Sequence, residues 1–133
     1  MSSPNKRKGT AWESAIRDFA NAHGHKSFRP APLGAGDVGD VHVDGLACVQ
    51  AKDTSTHRFG EWLEDVEDQR QRAGLPFGVV VAKRRRHGVG DAYAVMTLEN
   101  HLALLRRLDL AERLIHTTPH IRASYSRLLE DKQ

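Results

Sequence analysis

The run Gly78-Val79-Val80-Val81-Ala82-Lys83 constrains this chain more than any other stretch. Its apolar residues are successive rather than alternate, so a strand built from it has to be covered on both faces. That places it at the centre of a sheet sandwiched between helices. The segment before it agrees: Phe59 to Ala73 has helical spacing, with Trp62, Leu63 and Val66 on one face, and Gly74 then Pro76 end it. Before that, Leu46 to Lys52 reads as a strand. Strand, helix and strand over residues 46–83 form a crossover unit, so the two strands are expected to be parallel and the connection right-handed.

The rest of the chain supplies the other layers. Residues 1–8 read as a disordered basic arm. Thr10 is the expected N-cap of a first helix, with Glu13 as its capping-box partner, Ile16, Phe19 and Ala20 as its apolar stripe, and Gly24 as its stop. Phe28 and Arg29 suggest a short strand cut by Pro30 and Pro32, and Gly34-Ala35-Gly36 a flexible loop. Val38 to Val43 alternates as a strand, and Asp44-Gly45 turns it back. Gly88 and Gly90 lie in a loop before a last strand at Tyr93 to Met96. From about residue 99 the spacing is helical, through Leu102, Leu105 and Leu108, and Thr118-Pro119 opens a further helix with Ile121, Tyr125, Leu128 and Leu129. The expected fold is α/β: helix, three strands, helix, two strands, in one domain over residues 9–133 with extra C-terminal helices.

With 133 residues, 39% hydrophobic and 28% charged, the chain suits one soluble globular domain. No apolar run matches a membrane span or a signal-peptide core, so a cytoplasmic protein is expected. The lone Cys48 forbids an internal disulfide, fits a reducing compartment and reads as a small core residue. The net charge of +3 says little, but its distribution says more: Lys6-Arg7-Lys8, Lys83-Arg84-Arg85-Arg86 and Arg106-Arg107 are clusters. Clustered basic charge suits a polyanion, against the plainer reading of a solvated surface.

Chemistry-bearing residues gather at one hairpin. Asp40 is followed, after nine residues, by Gln50-Ala51-Lys52. Gln50 and Lys52 share a face, because side chains alternate along a strand. A two-residue turn at Asp44-Gly45 would pair Asp40 with Val49 and turn its carboxylate away from that face. A three-residue loop, Val43 to Gly45, would pair His42 with Leu46 and Asp40 with Cys48, putting Asp40, Gln50 and Lys52 together. A bulge would have the same effect. An acid, an amide oxygen and an ammonium on one face can hold a divalent cation with a positive charge beside it, the requirement of phosphodiester hydrolysis.

These segments resemble the PD-(D/E)XK nuclease superfamily and, more narrowly, the small phage and archaeal Holliday junction resolvases. The resemblance spans about residues 6–106. Arg7-Lys8-Gly9 followed by Glu13 is similar to the opening helix. Gly39-Asp40-Val41 resembles the segment of the metal-binding aspartate. Val49-Gln50-Ala51-Lys52 stands in the (D/E)XK place. Gly60-Glu61-Trp62-Leu63 resembles the second helix of actinobacteriophage members. Val79 to Arg85 followed by Gly90-Asp91-Ala92-Tyr93 is similar to the last two strands.

The resemblance implies a restriction-endonuclease-like core and a Mg²⁺-dependent endonuclease, with Mn²⁺ as a substitute. It implies a homodimer cutting paired strands of four-way DNA junctions, in a bacterial host cytoplasm if phage-encoded. Asp40 is then a metal ligand, joined by Gln50 in the second acidic ligand's place and by the Ala51 carbonyl. Glu13 completes the metal environment. Lys52 orients the attacking water and offsets charge on the phosphate. Lys6, Arg7, Lys8, Lys83, Arg84, Arg85 and Arg86 are the expected DNA contacts.

The departure is Gln50, whose amide oxygen can ligate a hard cation but carries no charge. It leaves open a weakened or inactive junction-binding protein of the same fold, or a nuclease acting on plain duplex. Plainer roles stand beside the others. Glu13 could only cap a helix, Asp40 begin a turn and Lys52 end an exposed strand. Asp37 is a second acid near the metal or a turn residue. Thr54 and Ser55 contact phosphate or, by the plainer reading, cap the next helix. Asp65 and Asp68 read as a solvated helix face, and Trp12 and Trp62 as core or a dimer contact. His23 and His25 lack the spacing of zinc ligands.

Overall fold

The protein is described by a computed structural model over residues 3–31 and 36–131. The chain divides into two compact units, residues 1–96 and 97–133. The first holds a five-stranded mixed sheet whose strands lie in sequence order: β1 (Ser27–Phe28), β2 (Val41–Val43), β3 (Ala47–Lys52), β4 (Phe77–Ala82) and β5 (Tyr93–Val95). Helix α1 (Pro4–Ala22) precedes the sheet, and α2 (Phe59–Ala73) joins β3 to β4. β3 and β4 are parallel and every other pair is antiparallel, as the crossover unit requires.

Each face of the sheet carries its own core. On one, Trp12 and Ile16 of α1 pack on Val41 and Val49. On the other, Trp62 and Val66 of α2 pack on Cys48 and Val80. The Val-rich run therefore feeds both: Val80 faces α2, and Val81 packs on the α1 side. α2 begins and ends at the expected residues, with Gly74 left-handed at φ 70°.

The N-terminus differs from expectation. α1 starts at Pro4, and the Ser3 side chain caps it by accepting from the Lys6 N–H at 3.2 Å. Residues 4–8 are thus helical rather than a disordered arm, and Thr10 and Glu13 lie inside the helix, so Glu13 is not a capping-box residue. The Ser3-Pro4 pair outcompetes Thr10 because proline is preorganised for the first helical turn and serine satisfies its open N–H groups. Of the expected flexible loop, Gly34 and Ala35 lie outside the described residues.

The hairpin takes neither of the two loops drawn from sequence. Asp44 and Gly45 both have positive φ, 59° and 64°, and the Leu46 N–H bonds the Val43 carbonyl at 3.0 Å. That is the tight two-residue turn, yet Val43 lies opposite Ala47 and His42 opposite Cys48. Leu46 is the extra residue, a bulge next to the turn. It shifts the register by one and restores the alternation that puts Asp40 level with Gln50. The pairing of His42 with Leu46 and Asp40 with Cys48 is thereby corrected, while the expected side-chain parity survives. A carboxylate at Asp44 explains the turn's hold: it accepts from His25 Nδ1 at 2.6 Å and from the Lys26 N–H at 2.8 Å, and these bonds lower its pKa.

The second unit is a pair of helices, α3 (Leu98–His116) and α4 (Pro119–Glu130), and neither has a buried residue. The Tyr125 hydroxyl bonds Glu112 between them. No helix among the described residues is long and apolar enough to cross a membrane.

Candidate active site

The ladder between β2 and β3 ends at Val41–Val49, and Asp40 sits just beyond it. Its N–H bonds the Val49 carbonyl at 2.9 Å, and its carboxylate Oδ2 accepts the Ala51 N–H at 2.8 Å. The side chain thus takes the place that a further backbone partner on β2 would hold. Asp40 is bound directly to the residue between Gln50 and Lys52. Gly39 makes this approach possible: at φ 91°, a Cβ on it would stand 2.4 Å from the Cys48 Sγ.

Burial pushes the Asp40 carboxyl up to about 6. The Ala51 hydrogen bond opposes that rise, the charges of Glu13 and Asp37 add to it, and Lys52 opposes it. A carboxylate so placed gains from a cation, because desolvation and like charge both disfavour its ionised form. Cys48, at the base of the same strand pair, has its thiol pushed up to about 12, chiefly by burial.

Gln50 is only 6% exposed, and its Oε1 is buried with no hydrogen-bond partner among the described residues. Leaving a carbonyl oxygen this way costs on the order of 1–3 kcal/mol. An unpaired amide oxygen, a half-buried carboxylate and the Ala51 carbonyl are all hard donors of the type Mg²⁺ or Mn²⁺ takes, so the residues present fit such an ion. Glu13 is less free than expected: its carboxylate is held by Arg29 at 2.8 Å. Among the described residues no three His, Cys, Asp or Glu side chains gather as a ligand set. An ion here would depend on the amide and backbone oxygens.

Asp37 serves as both turn residue and neighbouring acid. Its Oδ1 accepts the Gly39 N–H at 2.8 Å and its Oδ2 accepts Gln69 Nε2 at 3.0 Å. Sequence reading missed Gln69, which is 5% exposed with its own Oε1 unpartnered. The signal was an amide on the α2 face that carries Trp62 and Val66, where an apolar residue belongs. Asp65 and Asp68 are exposed, as expected.

Lys52 lies over the Trp62 ring, 5.3 Å from its centroid. It lines a cleft of about 430 Å³ with Ala51, Lys8, Asp53 and Arg85. Asp53 is the other residue that sequence reading passed over. Its side chain is 8% exposed and lies 3.4 Å from Lys8 and 3.8 Å from Lys83, pinning α1 to the end of β4. Thr54 and Ser55 line this cleft and do not cap α2, whose N-cap is Arg58. Of the expected DNA contacts, Lys8 and Arg85 face this cleft, Lys83 and Arg84 with Arg85 line an adjoining one, and Lys6, Arg7 and Arg86 are simply exposed.

No family model, no curated protein and no solved structure matches this chain.

Proposed function

We propose that the chain is a divalent-metal-dependent DNA endonuclease of the PD-(D/E)XK type, selective for branched DNA and acting on four-way junctions as a homodimer. One observation carries this reading: the Asp40 carboxylate bonded to the Ala51 N–H. It brings the acid to the Gln50-Ala51-Lys52 strand in a fold whose elements follow one another along the chain as expected.

In this reading Asp40, the Gln50 amide oxygen and the Ala51 carbonyl hold the ion, with Glu13 beside them. A bound Mg²⁺ or Mn²⁺ would supply charge for the phosphate and a more acidic water. The chain's own residues do the rest. Lys52 offsets charge developing on the phosphate and orients the incoming water. Lys8, Lys83 and Arg85 bind backbone phosphates without reading bases, which suits recognition by shape. A two-fold dimer presents two such sites to a two-fold substrate. The second unit favours a second copy, because ten of its large apolar side chains, from Leu98 to Leu129, are exposed.

A second reading has its own support. Gln50 carries no charge and Glu13 is paired with Arg29, which favours a junction-binding protein without chemistry. One assay separates the readings: a labelled four-way junction with Mn²⁺, given to this chain, to Gln50→Glu and to Lys52→Ala. Symmetric nicks from the first two, faster with Gln50→Glu, and binding without cutting by Lys52→Ala support the endonuclease. Binding without nicks in any divalent metal, unrescued by Gln50→Glu, supports the second. Equal cutting of linear duplex places the chain among other nucleases of the superfamily.

A further inference from the structure

A second cleft, of about 250 Å³, lies beside the first, between the β3–α2 connection and the segment that leaves β4. The two share Thr54, Ser55 and Arg85, so whatever occupies one abuts the other. No carboxylate lines this second cleft; Lys83, Arg84, Arg85, His57, His87 and Tyr93 do, with the two hydroxyl residues. Two acids are engaged with its lining residues, Asp53 with Lys83 at 3.8 Å and Asp91 with His87 at 3.8 Å. No ion pair of Arg84 or Arg85 is found among the described residues. Such a lining selects an anion.

It also holds a flat platform, which phosphate binding alone does not need. The Arg84 guanidinium carbon lies 5.0 Å from the Tyr93 ring centroid, and Arg84 Nη1 donates to the Asp91 carbonyl at 3.4 Å. The guanidinium is thus held over an aromatic face at the wall of the cleft. Behind it the wall is continuous: His57 meets Tyr93 edge-on at 5.7 Å, then Phe59 at 5.0 Å and the buried Trp62 at 6.2 Å. A wall anchored in the core keeps the platform in place before a ligand arrives, which lowers the cost of binding.

We propose that this cleft seats one unpaired nucleotide of a DNA strand. The base stacks on the Arg84–Tyr93 platform, and its phosphate lies against Arg85, Lys83 and the hydroxyl of Ser55. Stacked duplex offers no base faces to such a platform, whereas a nucleotide at a branch point or in a single strand does. The volume suits a single ring system, being smaller than pockets that enclose drug-sized ligands. The inference rests on the nucleic-acid reading above and deepens it, by naming how a branched or open substrate is told from a continuous helix.

The test measures affinity for a short single-stranded oligodeoxynucleotide, for a blunt duplex of equal length, and for a four-way junction with 2-aminopurine at the crossover. Two variants are compared with the wild-type chain: Tyr93→Leu, which keeps bulk on the edge strand, and Arg84→Lys, which keeps charge on a surface segment and loses only the plane. Each variant is expected to lower the ratio of single-strand to duplex affinity at least about fivefold, the low end of base stacking on an aromatic group. The 2-aminopurine emission should change on binding the wild-type chain and not on binding Arg84→Lys. An unchanged ratio in Arg84→Lys overturns the nucleotide seat, whatever becomes of Tyr93→Leu. Junction cutting by the wild-type chain with that ratio unchanged removes the seat alone; no binding of any DNA removes the nuclease reading as well.

Discussion

Replacing Asp40 by Asn should make the metal-free protein more stable at pH 8 while removing its proposed chemistry. The Asp40 carboxyl is held at about 6 in the fold against an ordinary 3.8. At about 1.4 kcal/mol per pH unit, ionising it in the folded protein costs up to about 3 kcal/mol. Water reaches this half-buried group, so a realistic figure is about 1–2 kcal/mol. The sign follows from linkage. The folded state keeps the proton more tightly than the unfolded chain, so stability falls as pH rises from about 4 to about 6 and then levels off. An Asn side chain keeps an oxygen for the Ala51 N–H and has nothing to ionise. Urea unfolding of both proteins, without divalent metal, at pH 4.5, 6 and 8 measures the difference. The Asn variant should gain relative to wild type between the first two and hold the gain at the third. Parallel stability curves across that range would refute the account of Asp40 as a carboxylate under electrostatic load.

Four further outcomes are expected. Gly39→Ala should destabilise by about 2 kcal/mol or more, since its Cβ would stand 2.4 Å from the Cys48 Sγ at a φ of 91°; adding Cys48→Ala should recover part of the lost melting temperature by removing the sulfur but not the backbone strain. The Cys48 thiol, fully buried and pushed up to about 12, should resist alkylation at pH 8 in the native protein and react on unfolding, as mass spectrometry would record. Asp53→Asn should cost about 1–2 kcal/mol in chemical denaturation by releasing Lys8 and Lys83 from a nearly buried carboxylate; the lysines are exposed enough to regain water, which limits the loss. If the chain pairs as proposed, Leu102→Lys with Leu105→Lys, on an exposed face of α3, should lower the sedimentation coefficient to that of a monomer while leaving the sheet's far-ultraviolet signal intact.

The sheet was legible because its signals are local and mutually consistent. Successive valines at 79–81, a helix ended by Gly74 and a turn at Asp44-Gly45 each admit few structures. The N-terminus was misread because two capping signals compete there, and a serine-proline start at Ser3 outranks Thr10 once the helix can extend. The approach of Asp40 to the Gln50-Ala51-Lys52 strand was legible in the sequence, but its means of assembly was not. Nothing in the sequence distinguishes Leu46 as a bulge rather than as the first pairing residue, yet that bulge sets which face Asp40 shares. Asp53 was invisible for a related reason: a lone polar residue beside a motif reads as solvated, and only packing reveals that its side chain is 8% exposed, whereas the place of Gln69 on the apolar face of α2 was a signal in the sequence itself.

The neutral Gln50 has a physical rationale within this arrangement. Its side chain is almost wholly buried, beside a carboxyl that Glu13 and Asp37 already burden with negative charge. A glutamate there would add a desolvated charge and push Asp40 higher still, so the metal-free protein would either hold a proton on the pair or lose stability. Glutamine avoids that cost and keeps an oxygen donor, at the expense of attraction for the ion. Gln50→Glu should therefore tighten Mn²⁺ binding and destabilise the metal-free fold at pH 8, with both effects shrinking toward pH 5 as the paired carboxyls protonate. Calorimetric titration and thermal melts on one preparation can read the two together. A variant that gained affinity with no loss of metal-free stability would show that the buried position does not feel Asp40, and the shared-site geometry would fail with it.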